Sequence, residues 1–122
     1  MSTRAELKRA YKESKPEAGI YQIRNLVNGK VLLGSGDGPQ GRLNRHRFEL
    51  RVGSDRCQGL QAEFNQLGEA AFAFEIAELV KPSDDPDFSA ELALAELEQR
   101  WVEKVQPFGD RGYNTEPKIR NA

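Results

Sequence analysis

The stretch 18-AGIYQIRNLVNGKVLLGSG-36 decides the fold. Two apolar runs flank Asn28-Gly29, a dipeptide that favours a two-residue hairpin turn because both turn residues must adopt positive φ. Such a turn pairs Val27 with Lys30, Asn25 with Leu32, Ile23 with Gly34 and Tyr21 with Gly36. Side chains alternate along a strand, so Tyr21, Ile23, Asn25 and Leu32 share one face and Arg24, Leu26, Val31 and Leu33 share the other. The second face is mostly apolar and reads as core. The first hangs a phenol beside glycines, which suits either a functional site or a solvated surface.

Upstream of the hairpin, residues 2–14 have a helical pattern, with Ser2 or Thr3 as cap and Lys15-Pro16 as stop. Downstream, Ser35-Gly36-Asp37-Gly38 reads as a loop. Pro39 suits the first turn of a helix that runs to about Val52 and stops at Gly53. A second helix is expected over about Gln58–Leu67, closed by Gly68. The segment 71-AFAFEIAELV-80 alternates and reads as a strand. An acidic loop spans Pro82–Pro86, and Ser89 caps a long helix to about Val105. The tail 113-YNTEPKIRNA-122 reads as irregular.

A chain of 122 residues is long enough to bury a core without staples, and it reads as one domain. A single cysteine, Cys57, excludes an internal disulfide, and with one histidine it excludes a Cys/His zinc cluster. No apolar run approaches the ~18 residues of a membrane span. The first 19 residues have no hydrophobic segment, so the expectation is a soluble, cytoplasmic protein with no membrane partner. Net charge is −1, but its distribution is uneven. Residues 1–60 hold 12 Lys+Arg against 6 Asp+Glu; residues 61–122 hold 6 against 13. The densest basic cluster is 42-RLNRHRFELR-51 with Arg56. Its arginines Arg42, Arg45, Arg47, Arg51 and Arg56 suit a phosphate-binding surface or, equally, a solvated helix face.

On a helical wheel, Ala90, Leu94, Leu97, Trp101 and Val105 form one stripe, and Glu98 falls inside it. A carboxylate among large apolar groups must neutralise, pair or bind a cation. It is therefore either a buried ion-pair member or a metal ligand or acid/base group. On the basic helix, Leu43 and Leu50 lie toward the core with His46 beside them, and Arg42 and His46 stack one turn apart. A guanidinium is a planar fork suited to phosphate oxygens. Tyr21, Arg42, His46 and Glu98 thus supply a hydroxyl, a guanidinium, an imidazole and a carboxylate. Phosphodiester hydrolysis needs that set: a base or relay for water, a cation on the phosphate, and a metal near the departing oxygen. Mg²⁺ takes only one or two protein carboxylates and completes its shell with water and phosphate, so one glutamate suffices.

The order of these residues resembles the GIY-YIG nuclease family, from about Ala18 to Asn114. The motif 19-GIY-21 is intact, and 30-KVLLGS-35 stands where the family has a Tyr-Ile-Gly strand. The segment 42-RLNRH-46 matches the family's arginine and histidine four apart. Further along, 60-LQAEFNQLG-68, 72-FAFEI-76, 98-EQRW-101 and 113-YN-114 fit in order. The resemblance implies an α+β fold, a small three-stranded antiparallel sheet flanked by helices in an αβα sandwich. On this division residues 18–114 form the nuclease-like domain, 1–17 an extra N-terminal helical extension and 115–122 a tail. It implies metal-dependent DNA endonuclease activity, with Mg²⁺ or Mn²⁺ held by Glu98. Tyr21 stands near the attacking water as base or relay, Arg42 clamps phosphate, His46 shuttles a proton or positions a group, and Asn114 bonds at the site edge. Two departures stand out. Leu32 replaces the second family tyrosine, so the alternative is a catalytically weakened nucleic-acid-binding module. Some relatives also carry a histidine in the 53–56 loop, where this chain has Asp55. At this length no separate DNA-binding domain is expected within the sequence. Arg4, Lys8, Arg9, Lys12 and Lys15 of the N-terminal helix suit added phosphate contacts, packing or a homodimer element. Modest intrinsic specificity, or targeting by a partner, is therefore expected.

Overall fold

The computed structural model of the protein describes residues 17–115. The expected helix over residues 2–14, with its five basic side chains, and the tail after residue 115 lie outside the described residues. In chain order the elements are β1 (Ala18–Asn25), β2 (Val31–Asp37), α1 (Pro39–Val52), α2 (Gln58–Leu67), β3 (Phe72–Leu79) and α3 (Ala90–Val105). Short 3-10 turns occupy Glu69–Ala71 and Gly109–Arg111. The strands form one antiparallel sheet in the order β2-β1-β3.

Each face of the sheet has its own core. Tyr21, Ile23 and Phe72 pack with Leu43 and Leu50 of α1 and Leu60 and Phe64 of α2. On the opposite face Ile20 and Leu33 pack with Leu97, flanked by Leu94, Trp101 and Val102 of α3. The result is the three-layer αβα arrangement implied by the resemblance. Burying each of these large side chains contributes about 1.5–3 kcal/mol, so the α1/α2 layer, with more of them, is the stronger half. The face that carries Tyr21 is thus a core face, not a solvated one.

The hairpin differs from the two-residue reading. Tyr21 opposes Gly34, Ile23 opposes Leu32 and Arg24 opposes Val31, a slip of two residues from the expected pairs. The reason is Asn25. It is only 1% exposed, and its Oδ1 accepts from Val27 N at 2.9 Å and Asn28 N at 3.2 Å. Its own backbone N–H donates to Lys30 O, and its carbonyl accepts from Gly29 N, both at 2.8 Å. These bonds close the loop at Asn25 and Lys30, two residues before Val27, and they leave Leu26 and Val27 exposed at the tip. Because the slip is even, every side chain keeps its expected face. β2 also continues through Ser35, Gly36 and Asp37, which read as a loop from the sequence.

β2 is the sheet edge opposite β3, and residues 112–114 close it. Gly112 bridges to Val31, and Tyr113 N donates to Val31 O at 3.0 Å. The Asn114 side chain then acts as a further strand residue: Oδ1 accepts from Leu33 N and Nδ2 donates to Leu33 O, each at 2.8 Å. An exposed edge of unpaired backbone groups is a liability for pairing with other chains, and this segment removes part of it.

α3 starts at Ser89, whose Oγ accepts from Leu92 N at 3.2 Å. The expected stripe is narrower than the wheel suggested. Leu97 alone is fully buried on α3, and Ala90 is exposed. Glu98 is exposed as well, so the reading of a carboxylate ringed by hydrocarbon is corrected. The helix meets only a narrow strip of sheet. One residue past Leu97 already points past the strip toward β2, where the Ser35 hydroxyl donates to Glu98 Oε2.

Candidate active site

Three consecutive residues of β2 organise the site. Gly34 lies under Tyr21: a methyl group built on it would overlap the phenol and come within 2.7 Å of Cε1. Gly36 lies under Arg42: a methyl there would overlap the guanidinium and come within 2.6 Å of Nη2. Ser35 between them holds Glu98. The two glycines provide the room that lets a strand residue and a helix residue lay their functional groups over the same edge. The extra residue of β3 between Glu78 and Ile76 falls beside Tyr21, the kind of bulge that re-aims a side chain near a site.

Tyr21, Arg42, Arg45, His46, Glu49 and Arg56 line an open cleft of about 200 Å³. α1 sets their spacing. Leu43 and Leu50, both 1% exposed, pin the helix to the sheet. Arg42, Arg45, His46 and Glu49 then follow at steps of three and four along the flank above the cleft. Arg42 Nε donates to Asp37 O at 3.3 Å, which leaves the rest of its fork free of protein partners among the described residues. Tyr21 Oη stands 3.3 Å from His46 Nε2, and His46 Nδ1 stands 2.7 Å from Asp55 Oδ2. The Asp55 side chain is 0% exposed. Burial is the main cause that holds the Tyr21 phenol above its ordinary range. Arg42 opposes the shift, and Asp55 and Glu98 add to it. Glu98 does not line this cleft; it meets β2 through the Ser35 hydroxyl.

The structure therefore lines one cleft with Tyr21, Arg42 and His46 and holds Glu98 against the next residue of β2, Ser35, outside that lining. Asn114 lies at the outer edge of β2, with both amide atoms used on Leu33, the residue before Gly34. The arginines divide. Arg56 lines the cleft and is exposed. Arg45 lines it too, paired with Glu49 at 2.9 Å. Arg51 is bound by Glu69 at 2.5 and 2.8 Å. Arg47 lies with its guanidinium 4.5 Å from the centre of the Phe74 ring, away from the cleft lining. Leu32 packs against the α1/α2 core. Asp55 is the residue that sequence reasoning did not place. Its signals were its place in the 53–56 loop, where some relatives carry a histidine, and its position just before a helix start, where side chains commonly bond the next backbone N–H groups. Asp55 Oδ1 does accept from Cys57 N at 2.9 Å.

Two groups of side chains could meet a metal ion. His46, Glu49 and Asp55 offer ligand atoms within 4.8 Å of one another. That set is already satisfied internally, since His46 and Asp55 are hydrogen-bonded and Glu49 is paired with Arg45. Glu98 is different. One oxygen takes the Ser35 hydroxyl, and the carboxylate has no Lys or Arg partner among the described residues. A solvated carboxylate without a cationic partner fits a hard divalent ion that keeps most of its water.

Among the described residues no helix is long and apolar enough to cross a membrane. No family model matches the chain. The chain is 32% identical over 98 residues to intron-associated endonuclease 1 of Enterobacteria phage T4, an alignment covering 80% of this chain and 36% of that protein. It thus spans little more than a third of that relative's length. Among solved structures it is similar to the catalytic domain of homing endonuclease I-TevI, with a TM-score of 0.63 and 30% identity over 83% of this chain and 100% of that one. It is equally similar to a glutamate-to-alanine mutant of the catalytic domain of intron endonuclease I-TevI, with a TM-score of 0.63 and 31% identity over 80% and 92% of the two chains.

Proposed function

The chain belongs to the GIY-YIG nuclease family, and from that premise we propose that it is a divalent-metal-dependent DNA endonuclease whose catalytic unit is residues 18–114. The observation that supports this reading is the Gly34-Ser35-Gly36 edge, which meets a phenol and a guanidinium on its α1 face and, through Ser35, a carboxylate of α3 on the other. Arg42 binds the scissile phosphate with the face of its fork that is free of protein bonds, and Arg45 and Arg56 extend the cationic lining along the backbone. Tyr21 hydrogen-bonds the attacking water. Because burial favours its neutral form, the phenol acts as a relay and not as a standing phenolate; its proton must leave as it receives the water's. His46 Nε2 is the group in position to receive it. The 3.3 Å separation is of the kind that shortens when substrate closes a site. Glu98 would hold Mg²⁺ or Mn²⁺, which when bound supplies Lewis-acid stabilisation of the departing oxygen.

The test is nicking of supercoiled plasmid by the full chain with Mg²⁺ or Mn²⁺, beside Glu98→Ala. Cleavage by the wild type and at least ~10²-fold slower cleavage by the variant is the expected outcome. Equal nicking by both would remove Glu98 from the mechanism. A second reading rests on Leu32, which puts hydrocarbon on the Tyr21 face where the family has a phenol. On that reading the fold binds DNA in a salt-dependent way and cleaves it under no divalent metal.

A further inference from the structure

We propose that Asp55 is a positioning residue for this hydrolysis, acting through His46. Its carboxylate fixes the imidazole as the Nδ1–H tautomer and so turns the Nε2 lone pair toward Tyr21. The proposal rests on the nuclease reading for its chemistry, but its geometry stands alone. Asp55 Oδ2 lies 2.7 Å from His46 Nδ1 and Tyr21 Oη lies 3.3 Å from Nε2, so the imidazole bridges a carboxylate and a phenol. A buried carboxylate accepts and does not donate, so the ring nitrogen facing it carries the hydrogen. The other nitrogen is then the acceptor for the Tyr21 hydroxyl.

The loop that carries Asp55 is held as a positioning element would be. Asp55 N donates to Gln61 Oε1 at 3.0 Å. Gln61 is itself buried, and its Nε2 donates to Leu50 O at 3.0 Å and Asn65 Oδ1 at 2.9 Å. The loop is therefore tied to the end of α1 and to α2 together. Asp55 Oδ1 takes Cys57 N–H, which leaves Oδ2 for the histidine.

The proton transfers balance. As a water oxygen forms its bond to phosphorus, that water's proton passes to Tyr21 Oη and the Tyr21 hydroxyl proton passes to His46 Nε2. The bond from phosphorus to the departing sugar oxygen breaks, and that oxygen keeps the electron pair and takes a proton from solvent. His46 is then an imidazolium in a cleft that also holds Arg42, Arg45 and Arg56, with Glu49 as the one lining carboxylate. Three guanidiniums disfavour a fourth cation there. The Asp55 charge, excluded from water, offsets them at the one nitrogen that needs it.

His46 is the only histidine in the chain, so ¹⁵N-labelled protein gives one imidazole to assign. Long-range ¹H–¹⁵N spectra of the neutral ring should show Nδ1 protonated and Nε2 bare. Asp55→Asn should move the ring toward the Nε2–H form, lower the single-turnover nicking rate about 10²-fold and leave DNA affinity and thermal melting near wild type. Asp55→Glu should recover part of the rate. An Nε2–H tautomer in the wild type, or a tautomer and rate unchanged in Asp55→Asn, overturns the proposal while the nuclease reading survives. Absence of nicking by the wild type under any divalent metal overturns both.

Discussion

Replacing Gly34 with alanine tests the site geometry most directly. The substitution adds one methyl group on the face of β2 that Tyr21 covers. That methyl would sit 2.7 Å from Tyr21 Cε1 and overlap the end of the ring, whereas carbon atoms rest at about 3.5–4.0 Å. The ring must therefore move by roughly 1 Å. It cannot move freely, because it is packed in the α1/α2 core and its centre lies 5.7 Å from that of the His46 ring. Overpacking of this kind costs about 1–3 kcal/mol of stability. A 1 Å misplacement of a catalytic group costs about 10²-fold in rate. Single-turnover plasmid nicking and thermal melting, measured on the same preparation, separate the two effects. Gly41→Ala is the control: no neighbouring side chain or other element lies within 4 Å of the added methyl, and the position is exposed in the first turn of α1. It should gain about 0.5–1 kcal/mol and leave nicking unchanged. Tyr21→Phe removes the hydroxyl without the clash. If both changes act through that hydroxyl, adding Gly34→Ala to Tyr21→Phe should lower the rate no further. Wild-type nicking by Gly34→Ala would refute the claim that this glycine places the phenol.

Three further outcomes are expected. Tyr21 and Tyr113 both have their phenols raised above the ordinary value near 10, chiefly by burial. A raised folded-state value means the native state holds the proton longer than the unfolded chain. The associated stability is complete below about pH 10 and is lost as pH rises through the higher folded values, so the melting temperature should fall across that range. Tyr113→Phe should flatten that fall. Asn25→Ala removes three side-chain hydrogen bonds at a fully buried position and should cost about 2–4 kcal/mol in urea unfolding. A loss well under 1 kcal/mol would deny that Asn25 sets the hairpin. Arg56→Ala should lower the slope of log binding constant against log salt by about 1. Arg51→Ala should lower it less, because Glu69 already holds that guanidinium.

The hairpin shows how a wrong local reading can leave the larger one intact. Asn28-Gly29 is a strong turn signal, but the register belongs to Asn25, whose side chain reaches forward to two backbone N–H groups and across to Tyr113 Oη at 3.1 Å. Tyr113 lies 88 residues away, and no local pattern contains it. The resulting slip is two residues, which in a strand is a full repeat. Tyr21 thus faces Leu43 and His46 whether it opposes Gly36 or Gly34. What the slip does change is which glycine the phenol covers. It moves Tyr21 onto Gly34 and frees Gly36 for Arg42.

Glu98 and Asp55 fail in opposite directions, for one physical reason. A helical wheel gives the angle of a side chain but not the width of what the helix packs on. Glu98 sits about 100° from Leu97, and against a broad sheet it would be buried. α3 covers a strip narrow enough that the carboxylate clears its edge and meets Ser35 instead. Asp55 has no periodic neighbours to place it, yet it ends inside the protein, because the short turn between α1 and α2 draws it under His46. The carboxylate expected in hydrocarbon is therefore at the solvent-exposed surface, where a hydrated ion can reach it. The one that the sequence marked only as a departure in the 53–56 loop is sealed beneath the imidazole, where an anion can order a proton path. The division suits hydrolysis better than the expected one. A buried Glu98 would have to shed its solvent to bind a metal, and an exposed Asp55 would have its field screened by water before it reached His46.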